Sequence, residues 1–186
     1  MDESEIIELY WARSENAITE TDRKYGHLCR RIAFNILENR EDSEECVNDT
    51  YLKAWSVIPP TRPVKLSAFL GKITRNLALN RYEKNHSQRR GSGTVTVVLD
   101  ELAECVPDPN SLEQTVDNRM LAEEINLFLG TLQSEARKFF LLRYWEMYSV
   151  GVIAMRCGVS DSKVKVSLFR TRGKLKAYLE QEGIML

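Results

Sequence analysis

Glycine and proline are scarce in this chain, nine and five among 186 residues, which argues against a loop-rich or β-rich design. There is no basic N-terminal end leading into a long apolar run: Met1–Tyr10 opens with Asp2, Glu3 and Glu5. No segment approaches the ~20 apolar residues of a membrane span. The sequence thus predicts a cytoplasmic protein with no signal peptide and no membrane insertion. Cys29, Cys46, Cys105 and Cys157 stand far apart without a C-x-x-C pair, and His27 and His86 are equally isolated. A tetrahedral zinc site takes close ligand pairs from one local element, so the cysteines read as buried apolar residues. A Gly-rich phosphate loop and a nucleophile–base–orienter set are also missing, and Ser92 sits in a glycine-flanked joint. No metal, no cofactor and no enzymatic activity are expected.

What is present is charge, unevenly placed. The net charge of −1 and pI near 6.2 conceal a segregation. Between Arg62 and Arg90 there are eight cations and one acid, Glu83; between Lys163 and Lys176 there are six cations and no acid. The stretch from Gly91 to Glu135 holds nine acids against the single cation Arg119. Two basic stretches separated by an acidic connector predict two polyanion-binding surfaces on one chain.

Apolar residues recur at helical spacing almost throughout, predicting an all-α fold. Ile6, Leu9 and Tyr10 begin a first amphipathic segment, and Tyr25, Leu28, Ile32 and Ile36 mark a stronger one. A third helix, capped by Asp42 or Ser43 with Glu44 and Glu45 in its first turn, carries Val47, Tyr51, Leu52 and Trp55 until Pro59-Pro60-Thr61-Arg62-Pro63 stops it. A fourth runs from about Lys65 with Leu66, Phe69, Leu70, Ile73 and Leu77 on one stripe. Residues 91–117 read as a flexible acidic linker with room for a helical turn: Gly91-Ser92-Gly93 is a joint, Thr94–Leu99 is β-prone but has no partner strand, and Pro107–Ser111 is a turn. Helical periodicity resumes around Leu121, Ile125, Phe128 and Leu129, followed by a helix from near Ser134 through Trp145. The expected organisation is a helical domain at 1–90, the linker, and a second helical domain at 118–186.

Ser149 to Ser160 has the form of a helix-turn-helix: Ala154 where two helices approach, and Gly158 for a left-handed turn between them. Ser160 or Asp161 caps the next helix, expected to run to Gln181, where Val164, Leu168, Leu175 and Leu179 form a packing stripe. Its other residues include Lys163, Lys165, Phe169, Arg170, Arg172, Lys174 and Lys176. A cationic face with an aromatic and no acid suits a major-groove helix, because cations meet phosphates and arginine pairs with base edges.

Glu41-Asp42-Ser43-Glu44-Glu45-Cys46-Val47-Asn48-Asp49-Thr50-Tyr51-Leu52-Lys53-Ala54-Trp55 resembles the second conserved helix of sigma domain 2. Leu66-Ser67-Ala68-Phe69-Leu70-Gly71-Lys72-Ile73-Thr74-Arg75-Asn76-Leu77-Ala78-Leu79-Asn80 resembles the third and its continuation. With Leu141-Leu142-Arg143-Tyr144 and Arg170-Thr171-Arg172 in the same order, the chain resembles an extracytoplasmic-function (ECF) type sigma factor, expected as a minimal member of the primary sigma family. The resemblance covers about Tyr25–Arg90 and Ile125–Leu179. It implies a factor that directs RNA polymerase core enzyme to promoters and supports DNA melting, with an anti-sigma protein as a further partner. Glu44, Glu45, Asn48 and Asp49 occupy its polymerase-docking positions. Arg62, Lys65, Lys72, Arg75, Asn76 and Asn80 fall in the part that captures the melted minus-ten element. Lys163, Lys165, Val166, Phe169, Arg170, Arg172 and Lys174 fall in the part that reads the duplex minus-thirty-five element. Phe69 stands where the family usually has Trp, Asn48 replaces Gln, Val150-Gly151-Val152 replaces an acidic stretch, and Val166 and Ser167 stand where Ser and Arg are common. The rival reading is a stand-alone helix-turn-helix regulator, which leaves the acidic helix and the second basic helix unexplained.

Overall fold

A computed structural model describes residues 1–86, 94–103, 105–106 and 114–184, with no side chains at 86, 94 and 114–119. The glycine joint at 91–93, the turn at 107–111 and the cations Arg89 and Arg90 lie outside the described residues. Those described form helices and no strand, in two compact units, Met1–Gly91 and Ser92–Leu186.

In the first unit, α1 (Glu3–Trp11) starts with a capping box, in which the Asp2 carboxylate accepts from the Glu5 amide at 2.8 Å and Glu5 accepts from the Asp2 amide at 2.6 Å. α2 (Asn16–Leu37) packs on both α3 (Arg40–Val57) and α4 (Leu66–His86). Its buried stripe of Cys29, Ile32, Ala33 and Ile36 meets Cys46, Val47 and Ala54 of α3 and Leu66, Leu70 and Ala78 of α4. Fully burying each large aliphatic side chain contributes about 1.5–3 kcal/mol, and this supplies most of the cohesion. The cap of α3 is neither Asp42 nor Ser43: Asn39 accepts from the Asp42 amide at 2.9 Å, and Ser43 is buried, donating to the Asn39 carbonyl. An asparagine in extended conformation reaches the amide three residues on, which moves the helix start forward and leaves Glu41 and Asp42 in the first turn.

The second unit holds α5 (Thr94–Ala103), α6 (Gln114–Thr131), α7 (Ser134–Phe140), α8 (Val150–Cys157) and α9 (Asp161–Gln181). Ser149 caps α8, Gly158 turns left-handed at φ +65°, and Ser160 caps α9. The β-prone stretch Thr94–Leu99 is helical: as α5 it buries Val95 and Val98, spaced by three, which an unpaired strand could not do. The linker expectation is corrected for this segment, since α5 belongs to the second unit and packs against the turn after α7.

That turn, Leu141–Trp145, is π-helical, and its Arg143 is 4% exposed. A guanidinium so far out of water requires full pairing. Glu101 of α5 grips it with both oxygens, at 2.8 and 3.1 Å, and its remaining Nη1 donates to the Tyr148 carbonyl at 3.0 Å. Tyr144 donates to Glu101 at 2.9 Å, and Arg172 of α9 donates to the Tyr144 hydroxyl at 2.8 Å. Burial pushes the Glu101 carboxyl upward, but the bonds and charges of Arg143, then Tyr144 and Arg172, outweigh it and hold the group below the ordinary 4.5. A depressed acid stabilises the fold above its unfolded value and loses that contribution as pH falls. Unit 2 is therefore expected to weaken on acidification below about 4.5, where urea titration read by its amide NMR signals shows a falling midpoint. Glu101→Gln is expected to cost roughly 3 kcal/mol at neutral pH, by stranding Arg143, and to flatten that acid dependence.

Candidate nucleic-acid interface

α9 divides its residues sharply. Val164, Leu168, Thr171, Leu175 and Leu179 face inward, while Lys163, Lys165, Val166, Phe169, Arg170 and Lys174 are exposed. Phe169 is 69% exposed, an apolar cost in water that a contact with a base or its methyl group would remove. An open groove of about 470 Å³ between α7 and α9 is lined by Ala136 and by Lys163, Val166, Arg170 and Lys174 together with the hydroxyls of Ser162, Ser167 and Thr171. Lys163 pairs with Glu135 at 2.8 Å, both half exposed, an attachment worth at most about 1 kcal/mol that a phosphate can replace. Arg172 does not share this face. Its side chain is turned in, held by Tyr144 and lying 3.6 Å from Glu101.

In the first unit, Lys72, Asn76 and Asn80 are all exposed on one face of α4, with Lys65 exposed just before the helix. The amides at four-residue spacing offer donors and acceptors to an unpaired base edge. Arg75 is turned into the domain, where burial lowers its guanidinium pKa from the ordinary value; it does not join that face. Arg62 is exposed but attached to α1, pairing with Glu8 and lying over the Trp11 ring at 5.6 Å.

On α3, Glu44, Glu45 and Asn48 are exposed and Asp49 is half-buried. Arg30 meets Glu44 at 3.2 Å, and Arg81 meets Glu45 at 2.7 Å and Asp49 at 3.9 Å. The hydrogen bond and charge of Arg81 lower the Glu45 pKa. These exposed pairs are cheap to break, so the carboxylates stay available to a cationic partner.

The sequence did not single out Glu101 as Arg143's partner. The signal was a cation inside Phe139-Phe140-Leu141-Leu142-Arg143-Tyr144-Trp145, where a buried charge demands an acid from elsewhere. Among the described residues there is no cluster of side chains that could hold a metal ion, and no helix long and apolar enough to cross a membrane.

The fold is thus two helical units, each with a basic helix face and the second with a helix-turn-helix. Residues 22–88 match Sigma-70 region 2 and residues 122–175 match Sigma-70 region 4. The two matches take in more than half of the chain, which belongs to the sigma-70 family. The expected designation within the primary sigma family is corrected to this broader one, since the matches and relatives support sigma-70 and ECF descriptions. The chain is 29% identical over 153 residues to a probable RNA polymerase sigma factor, RfaY, of Xanthomonas campestris pv. campestris, covering 81% of this chain and 37% of that protein. It is 27% identical over 166 residues to the ECF RNA polymerase sigma factor SigE of Mycolicibacterium smegmatis, covering 88% of this chain and 62% of that one. The chain thus spans under two thirds of either relative. Among solved structures it is similar to CnrH in complex with the cytosolic domain of CnrY, at TM-score 0.41 and 19% identity, covering 95% of this chain and 96% of that one. It is also similar to the sigma factor RpoE in complex with the anti-sigma factor NepR from Bartonella quintana, at TM-score 0.37 and 20% identity, covering 87% and 96%.

The two arginines of Arg170-Thr171-Arg172 are expected to separate on mutation. Arg170→Ala should weaken duplex binding by roughly 1–3 kcal/mol with an unchanged melting temperature, if the side chain reaches a base edge. Arg172→Ala should lower the melting temperature of the second unit first. Fluorescence anisotropy with duplex DNA and thermal denaturation distinguish them.

Proposed function

We propose that the chain is an ECF-type sigma factor that carries RNA polymerase core enzyme to promoters, supports strand melting and catalyses no reaction of its own. What carries the proposal is one chain holding two basic helix faces of different character, α9 and α4, beside the acidic face of α3. The exposed side chains of α9 would read the upstream element as duplex, with Lys163, Lys165 and Lys174 on phosphates and Val166, Phe169 and Arg170 toward base edges. Lys65, Lys72, Asn76 and Asn80 would receive the melted downstream strand. Flipping a base out costs a few kcal/mol of stacking, which a polar pocket and cationic rim offset. Glu44, Glu45, Asn48 and Asp49 would dock on polymerase, exchanging Arg30 and Arg81 for the partner's cations. The working location is the cytoplasm, and an anti-sigma protein is the inhibitory partner expected of the ECF type. A stand-alone regulator would use α9 equally well but has no use for the α3 and α4 faces.

Run-off transcription with purified core polymerase over a promoter library tests this: the chain should confirm itself by initiating at a defined subset, and failure to bind core at all would reduce it to a DNA-binding module. Asn76→Ala should leave core binding intact and reduce open-complex formation, measured by permanganate reactivity, about tenfold if one base-edge contact is lost. Equal loss of core binding would make Asn76 structural.

A further inference from the structure

The segment between α3 and α4, and the helix ends that flank it, are fastened by residues 3–13, which lie outside the family match. α1 and the residue pair after it precede residue 22, where the region 2 match begins. α1 is seated by Ile6, Ile7 and Tyr10, all buried, with the Tyr10 hydroxyl 2.9 Å from that of Thr21. From this seat three contacts reach that segment and the helix ends on either side of it. Arg13 donates to the Trp55 carbonyl at 2.7 Å, near the C-terminal end of α3, and lies over the Trp55 ring at 5.4 Å. Glu8 and Trp11 hold Arg62 by an ion pair and by the ring face. The Glu3 carboxylate accepts from the Ser67 amide at 3.0 Å, and so caps α4 from across the unit.

Each contact has a physical purpose at its place. Ser67 contributes one of the amides that a helix start leaves unpaired, and a carboxylate there also meets the positive end of the helix dipole. The same Glu3 accepts from Tyr25 of α2 at 3.3 Å, and its charge and bond, after burial, push the phenol up to about 12. Between Arg62 and α4 the chain stays open to solvent, with Val64 96% exposed and Lys65 exposed, while Ile58 at the other end is buried. A segment that receives an unpaired strand binds more weakly if it must be ordered at that moment, because the lost freedom is deducted from affinity.

We infer that α1 is a brace that preorganises residues 58–65 for the unpaired strand, with Glu8 and Trp11 as positioning residues acting through Arg62. The inference rests on the reading of the chain as a sigma factor. The test uses the full chain with core polymerase and a promoter selected from a randomised duplex library by the wild-type complex. The selected promoter is offered as duplex and as a premelted bubble carrying 2-aminopurine in the downstream element. Glu8 and Trp11 are 60% and 40% exposed, so Glu8→Gln and Trp11→Ala should fold normally. Together they should weaken the premelted bubble roughly five- to tenfold and blunt the 2-aminopurine signal, with core affinity and melting temperature unchanged. Trp11→Tyr, which keeps a ring face under Arg62, should restore most of the loss. Unchanged or tighter bubble binding by the double variant would overturn the brace, the latter showing that α1 withholds Arg62 from DNA. If the wild-type complex selects no promoter, the sigma reading itself fails and the brace falls with it.

Discussion

A guanidinium removed from water is the constraint on which the second unit turns. Arg143 cannot remain charged in a 4% exposed position without a carboxylate, and the one that grips it comes from outside its own helical turn. Glu101 comes from α5, far back along the chain, so satisfying the charge draws into the domain a helix that would otherwise be part of a connector. The same carboxylate, through Tyr144, also holds Arg172 inward. The buried stripe of α9 sets which of its faces is outward, and this pairing withdraws Arg172 from that face while Arg170 stays on it.

The first unit distributes its polar groups differently. Two pairs of buried hydroxyls meet there, Thr50 with Thr74 at 3.1 Å and Tyr10 with Thr21 at 2.9 Å. Arg75 is turned inward, whereas Arg30 and Arg81 lie nearer the rim and each serve two or more acids of α2 and α3. The two basic surfaces thus differ in kind. One is a set of long cations around an aromatic, suited to the uniform phosphate spacing of a duplex; the other places amides beside few cations, suited to bases already unstacked.

Short-range features were legible in the sequence. The Ser160 cap, one of two candidates, the left-handed Gly158 and the bounds of α9 depend on neighbours within a few residues, and the all-helical class follows from apolar periodicity. What escaped were outcomes set by distant partners. Thr94–Leu99 carries β-branched residues that favour strand locally, yet burial of Val95 and Val98 decides for helix. Arg75 and Arg172 are indistinguishable in sequence from their exposed neighbours, because cations on a basic helix look alike until the fold consumes some of them. Asn39 was passed over as a cap because Asp42 and Ser43 sat closer to the acidic run, although the amide geometry favours the earlier residue.

The Glu101 cluster also imposes a timetable on biosynthesis. A ribosome releases α5 first, the π-turn about forty residues later and Arg172 about thirty residues after that. Glu101 therefore waits, solvated, through most of the synthesis of its own domain, and Arg143 emerges into a half-built socket. The unit can close over its internal charge only once α9 has emerged, so the cluster and the exposed basic face of α9 mature together.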